Sequence, residues 1–325
     1  MAFRLKLVPE NTKWDFFSLS KITFGVSSAL VIASIVAWLV VGLNYGIDFK
    51  GGTTIRTEAT NAVDVGAYRD AIAPLGLGDV LVTEVFDPTF RADQNVAQIR
   101  IQAQEGEDSV SPEMVAKVEA AVKAVDPTLK FTSVESVGAK VSAELIWQAI
   151  IAVGLACLGI GIYVWLRFEW QFAVGSFISL LHDVFLTIGV FVLFQIKFDL
   201  TIIAALLTIV GYSINDTVVV FDRVRENLIK YKTMPLRDVM NLSINETMSR
   251  TVMTGGTTIL ALIVLMIFGG DVLRGFVFAM TWGILVGTYS SVYIATNWVL
   301  FLGVKRDWSK PADTPAGTQF TTADK

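Results

Sequence analysis

Histidine and cysteine are all but missing from this 325-residue chain: His182 is the only histidine and Cys157 the only cysteine. One cysteine forbids an internal disulfide and a cysteine metal cluster, and one histidine excludes a multi-histidine metal site. No metal or cofactor is expected. Charge is scarce too, at 17% of residues, where a soluble domain carries about 25%. The small net charge of −4 carries no sign of nucleic-acid binding. The glycine-punctuated run 44–52 is followed by no Gly-Lys-Ser/Thr, so it is not a phosphate loop. Hydrocarbon fills the space that charge leaves: 53% of residues are hydrophobic and mean hydropathy is +0.58.

Those apolar residues fall in runs long enough to cross a bilayer, which needs about 20 per helix. Six are read, at 22–43, 145–166, 172–196, 200–221, 251–268 and 276–302. The first is too long for a signal-peptide core and no small-residue cleavage pattern follows it, so it is expected to remain a span. Lys and Arg gather before the first run (Arg4, Lys6, Lys13, Lys21), between the fourth and fifth (Arg223, Arg225, Lys230, Lys232, Arg237), and after the sixth (Lys305, Arg306, Lys310). With an even number of spans these segments share one side, and basic short loops face the cytoplasm, so both termini are expected there. The tail 305–325 is read as disordered.

One connection is long and polar. Residues 44–143 are read as an outer domain with strands at 53–57, 80–86, 96–102 and 129–137 and helices at 63–73 and 112–125. Ser111-Pro112 is a good helix start, and the Gln98–Gln102 alternation suits a half-buried strand. The β-α-β-β-α-β order matches a ferredoxin-like split βαβ unit. The expected fold is a polytopic α-helical membrane protein: a cytoplasmic arm (1–21), a first transmembrane helix (22–43), a periplasmic α+β domain (44–143), five more helices (144–304) and the tail.

Several polar groups stand where lipid should forbid them. Asp216 lies in the fourth run, and a carboxylate at that depth costs about 2.5–3.5 kcal/mol on insertion scales, so it marks an ion path by default. Arg250 opens the fifth run, ahead of a small-polar turn from Thr251 to Thr258, and lies at a depth comparable to Asp216. Its alternative reading is a cation snorkelling from a helix end. His182 and Asp183 occupy the middle of the third run, either as a proton shuttle near neutral pH or as a hydrogen-bonded pair that fixes packing. Tyr212, Ser213, Asn215 and Thr217 flank Asp216 and are expected to shape its hydrogen bonds. Asp222-Arg223 and Arg225-Glu226 are read as local ion pairs. Gly283 and Gly287 have the small-xxx-small spacing of close helix contacts. Gly46, Asp48, Gly51 and Gly52 mark the exit from the first span into the outer domain.

The motifs Tyr45-Gly-Ile-Asp-Phe-Lys-Gly-Gly52, Phe168-Glu-Trp-Gln-Phe-Ala-Val-Gly175, His182-Asp183 and Gly211-Tyr-Ser-Ile-Asn-Asp-Thr-Val-Val-Val-Phe-Asp-Arg-Val-Arg-Glu-Asn227 resemble the SecF family of protein-export subunits. That family lies within the resistance–nodulation–division superfamily, and the likeness covers about residues 15–305 without departure in these motifs. It implies a multi-pass subunit of the bacterial inner membrane that pairs with SecD and works with the SecYEG channel and often YidC. Such a complex draws unfolded exported polypeptides outward using the proton-motive force. The resemblance also implies that Asp216 and Arg250 serve proton transport. Three other classes stand beside it: a small-molecule efflux transporter of the same superfamily, a non-conducting scaffold, and an intramembrane aspartyl protease. The last needs a Gly-x-Gly-Asp setting around a membrane aspartate, which neither Asp183 nor Asp216 has.

Overall fold

The computed structural model describes residues 12–78, 80–87, 90–91, 93–102 and 110–304. The start of the basic arm and the tail read at 305–325 lie outside these residues. An extended segment leads into α1 (Ser20–Val40), followed by the one-turn helix α2 (Ile47–Lys50). Next come β1 (Gly52–Ala59), α3 (Val65–Ile72), β2 (Val80–Val85), β3 (Asn95–Gln102), α4 (Pro112–Val125) and β4 (Lys130–Val137). The long helices then run in sequence: α5 (Ala139–Arg167), α6 (Trp170–Phe194), α7 (Leu200–Lys230), α8 (Leu236–Phe268) and α9 (Gly270–Ser290). A π-helical turn (Ser291–Ala295) carries α9 into α10 (Thr296–Leu302).

The strands form one antiparallel sheet in the order β2-β3-β1-β4. Ile55 lies opposite Ile99 on one side and Val134 on the other. Helices α3 and α4 cover the sheet, burying Tyr68, Ile72, Val118 and Val122 against Ile55, Val82, Ile99 and Ile101. Their starts follow from sequence. Asp64 accepts a hydrogen bond from the Ala67 amide at 2.9 Å, and Ser111 from that of Met114 at 3.3 Å. Each satisfies a backbone donor that a helix start leaves free.

Six helical segments are long and apolar enough to cross a membrane: Ser20–Val40, Val141–Arg167, Trp170–Phe194, Leu200–Lys230, Leu236–Phe268 and Leu273–Leu302. Their burial differs sharply: 61% of the most apolar window is enclosed in the third and sixth, against 6% in the first. Polar groups on α6 and α9 therefore face protein, and α1 lies at the edge of the bundle. The fourth and fifth helices outrun their apolar stretches. The segment read as a loop after 221 is helical except at 231–235.

Glycines set how closely the central helices meet. A Cβ on Gly287 would lie 3.0 Å from the Ser213 Cβ, and one on Gly283 would run into Ile209. The small-xxx-small pair in α9 thus admits α7, the helix that carries Asp216. On α6, a Cβ on Gly175 would meet the Ala295 carbonyl at 2.8 Å, so α6 presses directly on the π turn.

Candidate functional site

The polar centre of the bundle is built on Asp183, which is fully buried on α6. Its Oδ2 accepts hydrogen bonds from Ser213 Oγ of α7 at 2.6 Å and from Ser290 Oγ of α9 at 2.9 Å. Its Oδ1 pairs with His182 Nδ1 at 3.0 Å, and Ser179 donates to Ser290 Oγ at 2.9 Å. One carboxylate therefore ties three helices together. Both oxygens of this buried carboxyl group are thereby engaged, as burial of a polar group requires. His182 Nε2 is buried without a partner, and its ring lies 6.1 Å from that of Tyr289. The Tyr289 hydroxyl contacts Ser27 Oγ at 2.8 Å and donates to the Thr23 carbonyl at 3.2 Å, joining α1 to α9.

Asp216 is in the opposite condition. It is 3% exposed, one helical turn beyond Ser213 on α7, and its Oδ2 has no hydrogen-bond partner among the described residues. None of the four flanking residues supplies one. Ser213 turns to Asp183, Tyr212 donates to Thr258 Oγ1 at 3.2 Å, Thr217 donates to the Ser213 carbonyl at 3.2 Å, and Asn215 is exposed on the outer face of α7. Asn215 and Thr217 adjoin Asp216 in sequence and so point to other sides of the helix, whereas Tyr212 and Ser213 lie one turn away on its own face but are engaged with Thr258 and Asp183. Arg250 on α8 is exposed. Its charge acts on Asp216, yet no ion pair joins the two among the described residues.

The same rule corrects the charged pairs at the end of α7. Arg223 meets Glu226 at 2.5 Å and Glu246 of α8 at 2.7 Å, while Asp222 lies 3.6 Å from Arg167 of α5. The i,i+1 pairing of Asp222 with Arg223 does not form. Glu246 also accepts from Asn227 at 2.7 Å, which locks this end of the α7–α8 hairpin. The N-terminal segment is strapped along α8: Trp14 and Asn245 exchange two hydrogen bonds, each 2.9 Å.

The glycine-rich exit run forms a clasp at the other end of the bundle. The Gly46 amide donates to the Phe198 carbonyl and the Phe198 amide to that of Asn44, both at 2.8 Å. Asp48 Oδ2 accepts from the Leu200 amide at 3.0 Å, so it caps α7 across the chain. Gly51 and Gly52 have φ of +73° and +121°, backbone that favours glycine, and they turn the chain into β1. The first strand of the sheet is thereby fastened to the start of the helix that carries Asp216. Ser179, Ser290 and Tyr289 were not singled out from sequence. Their signal was available as hydroxyls inside otherwise apolar runs.

Two family descriptions match. "SecD/SecF GG Motif" covers residues 36–63, which hold the clasp, and "Protein export membrane protein SecD/SecF, C-terminal" covers residues 117–305. A protein translocase subunit SecF from Cereibacter sphaeroides is 66% identical over 324 residues, covering 100% of both chains. The chain belongs to the SecF family. A SecDF translocase subunit from Brucella abortus is 40% identical, and this SecF-family chain spans 97% of itself but 40% of that protein. The crystal structure of SecDF, a translocon-associated membrane protein from Thermus thermophilus, matches with a TM-score of 0.80 and 34% identity. The match covers 91% of this chain and 39% of that one. The protein is accordingly a multi-pass membrane subunit of a protein translocase, and the efflux-transporter alternative is set aside.

Proposed function

We propose that this SecF-family chain couples proton flow to the late stage of polypeptide export across the bacterial inner membrane. The observation that carries the reading is Asp216 Oδ2, buried in a membrane helix with no hydrogen-bond partner. An ionised carboxylate is costly there, and a protonated one is far less so. Asp216 is the group that loads and unloads, and Asp183, which ties α6 to α7 and α9 through Ser213 and Ser290, is the next carboxyl group on the path. When ionised, Asp216 draws on the charge of Arg250. When neutral, it lets that contact go, and each state favours a different arrangement of α7 against α8. One charge falling through 100 mV supplies about 2.3 kcal/mol, enough to bias a two-state equilibrium.

The clasp passes such a rearrangement outward, because Asp48 holds the first turn of α7 and Gly51-Gly52 lead into β1. The strand order is that of a ferredoxin-like unit, which we place in the periplasm, with both termini in the cytoplasm. There the domain would meet the exported chain as it leaves a SecYEG channel, with YidC as a further partner. The exposed small and polar stripe of Thr208, Gly211 and Asn215, beside Arg250 and Thr257, is the face we assign to SecD. A relative named SecDF and a family description that joins SecD with SecF support SecD as the partner.

Export into inverted membrane vesicles, with and without a protonophore, tests the reading. Native vesicles should lose export when the gradient is collapsed. Those carrying Asp216→Asn should export poorly in both conditions while the chain is inserted normally. Equal protonophore sensitivity in both would overturn the assignment.

A further inference from the structure

Hydroxyls buried in apolar helices normally satisfy themselves by donating to the carbonyl four residues back. Buried Thr187, Thr217, Thr247 and Thr296 all do so here. Ser176 does not. It is fully buried on α6, and its Oγ has no partner. Five residues earlier on the same helix, buried Gln171 has an unpartnered Oε1. Ser179, one turn beyond Ser176, begins the hydrogen-bonded chain through Ser290 Oγ to Asp183 Oδ2. These groups lie where Gly175 brings α6 against the π turn that follows Ser290, and π turns interrupt helices most often at functional sites.

We propose that the cytoplasmic half of the proton route runs along this seam, from Asp183 through Ser290 and Ser179 to Ser176 and Gln171. The inference rests on the proton-coupled reading above and specifies its exit path. Protonated Asp183 hands its proton to Ser290 Oγ as the Ser290 proton passes to Ser179, and Ser179 releases its own toward Ser176. Each serine gains one proton and loses one, Asp183 becomes a carboxylate, and one proton leaves at Gln171. The observed arrangement, with Ser179 donating to Ser290 and Ser290 to the carboxylate, is the one that such a passage leaves behind. Residues three apart on a helix lie about 5–6 Å apart at Cβ, so the route requires a water to carry the proton between Ser179 and Ser176, and further water over the rise of about 7.5 Å from Ser176 to Gln171.

The test is proton entry into proteoliposomes that hold the complex co-isolated with this chain and an internal pH-sensitive dye. Ser176→Ala and Ser290→Ala should each slow entry by about tenfold or more, because a missing hydroxyl breaks a hydrogen-bonded chain. Ser290→Thr, which keeps a hydroxyl, should restore it. Thermal unfolding of the same samples separates a route from a packing role. Ser176 makes no hydrogen bond to lose, so Ser176→Ala should unfold at the native temperature or higher. Native entry rates in Ser176→Ala and Ser290→Ala, with Asp216→Asn still silent, overturn this route and leave the Asp216 reading standing. Native entry no faster than Asp216→Asn overturns both.

Discussion

Replacing Asp183 separates two roles that a buried carboxylate can have. Ser213 and Ser290 both donate to Oδ2, and His182 Nδ1 pairs with Oδ1. An amide in the same place reproduces this arrangement: its oxygen accepts both hydroxyls, and its NH₂ donates to His182 Nδ1 when the ring proton is on Nε2. Asp183→Asn therefore keeps three hydrogen bonds, so its stability should stay within about 1 kcal/mol of native. Asp183→Ala removes all three. Ser290 falls back on the Gly287 carbonyl at 3.1 Å, but Ser213 and His182 are left to find others. Two orphaned groups at about 1–3 kcal/mol each, plus a small cavity, predict a loss of about 3 kcal/mol. Unfolding in mixed micelles titrated with SDS reads the difference directly. A loss from Asp183→Asn as large as that from Asp183→Ala would refute the reasoning, because charge rather than hydrogen-bond geometry would then hold α6, α7 and α9 together.

Asp48→Ala should destabilise the start of α7 by about 1 kcal/mol, the worth of a helix cap, and Asp48→Asn should recover most of it; hydrogen exchange at Leu200 and Thr201 is the readout. Gly287→Val should force α9 away from Ser213 and cost about 1–3 kcal/mol by overpacking, with a matching fall in the thermal midpoint. In the sheet domain, burial pushes the Asp126 carboxyl up, but hydrogen bonds from Thr128, Asn61 and Tyr68 outweigh it and hold it below the ordinary carboxylate range. Its contribution is complete above its unfolded value and lost as pH falls through the lowered native one, so Asp126→Ala should flatten the acid limb of thermal unfolding. Burial and the neighbouring Asp126 raise Tyr68 from 10.0 to about 12. Its contribution is present below the unfolded value and lost as pH climbs through the native one, and the absorbance titration should lose its last step in Tyr68→Phe.

The six spans and the strand–helix order of the polar domain were legible because both rest on local physics. A bilayer sets a length for apolar runs, and period-two or capped helical patterns betray themselves over a few residues. The continuation of α7 beyond the lipid was legible at Asp222 to Glu226, but its run to Lys230 and the early start of α8 at Leu236 were not. Residues 222–230 and 236–250 mix polar and apolar side chains, and they stay helical because Val224, Met240, Ile244 and Met248 share one buried cluster while Asn227 and Arg223 bind Glu246 across the two helices. The π turn at Ser291–Ala295 likewise has no compositional mark, and α6 presses on it through a single glycine.

Chain chemistry alone determined that Asp183, His182 and Asp216 stand in a hydrophobic bundle, since the cost of charge in hydrocarbon depends only on depth. Which of the two carboxylates is satisfied was decided by tertiary structure. Ser213 belongs by sequence to the surroundings of Asp216, one turn away on the same helix face, yet the close approach of α7, α6 and α9 gives its hydroxyl to Asp183. Asp216 is left with its unpartnered oxygen.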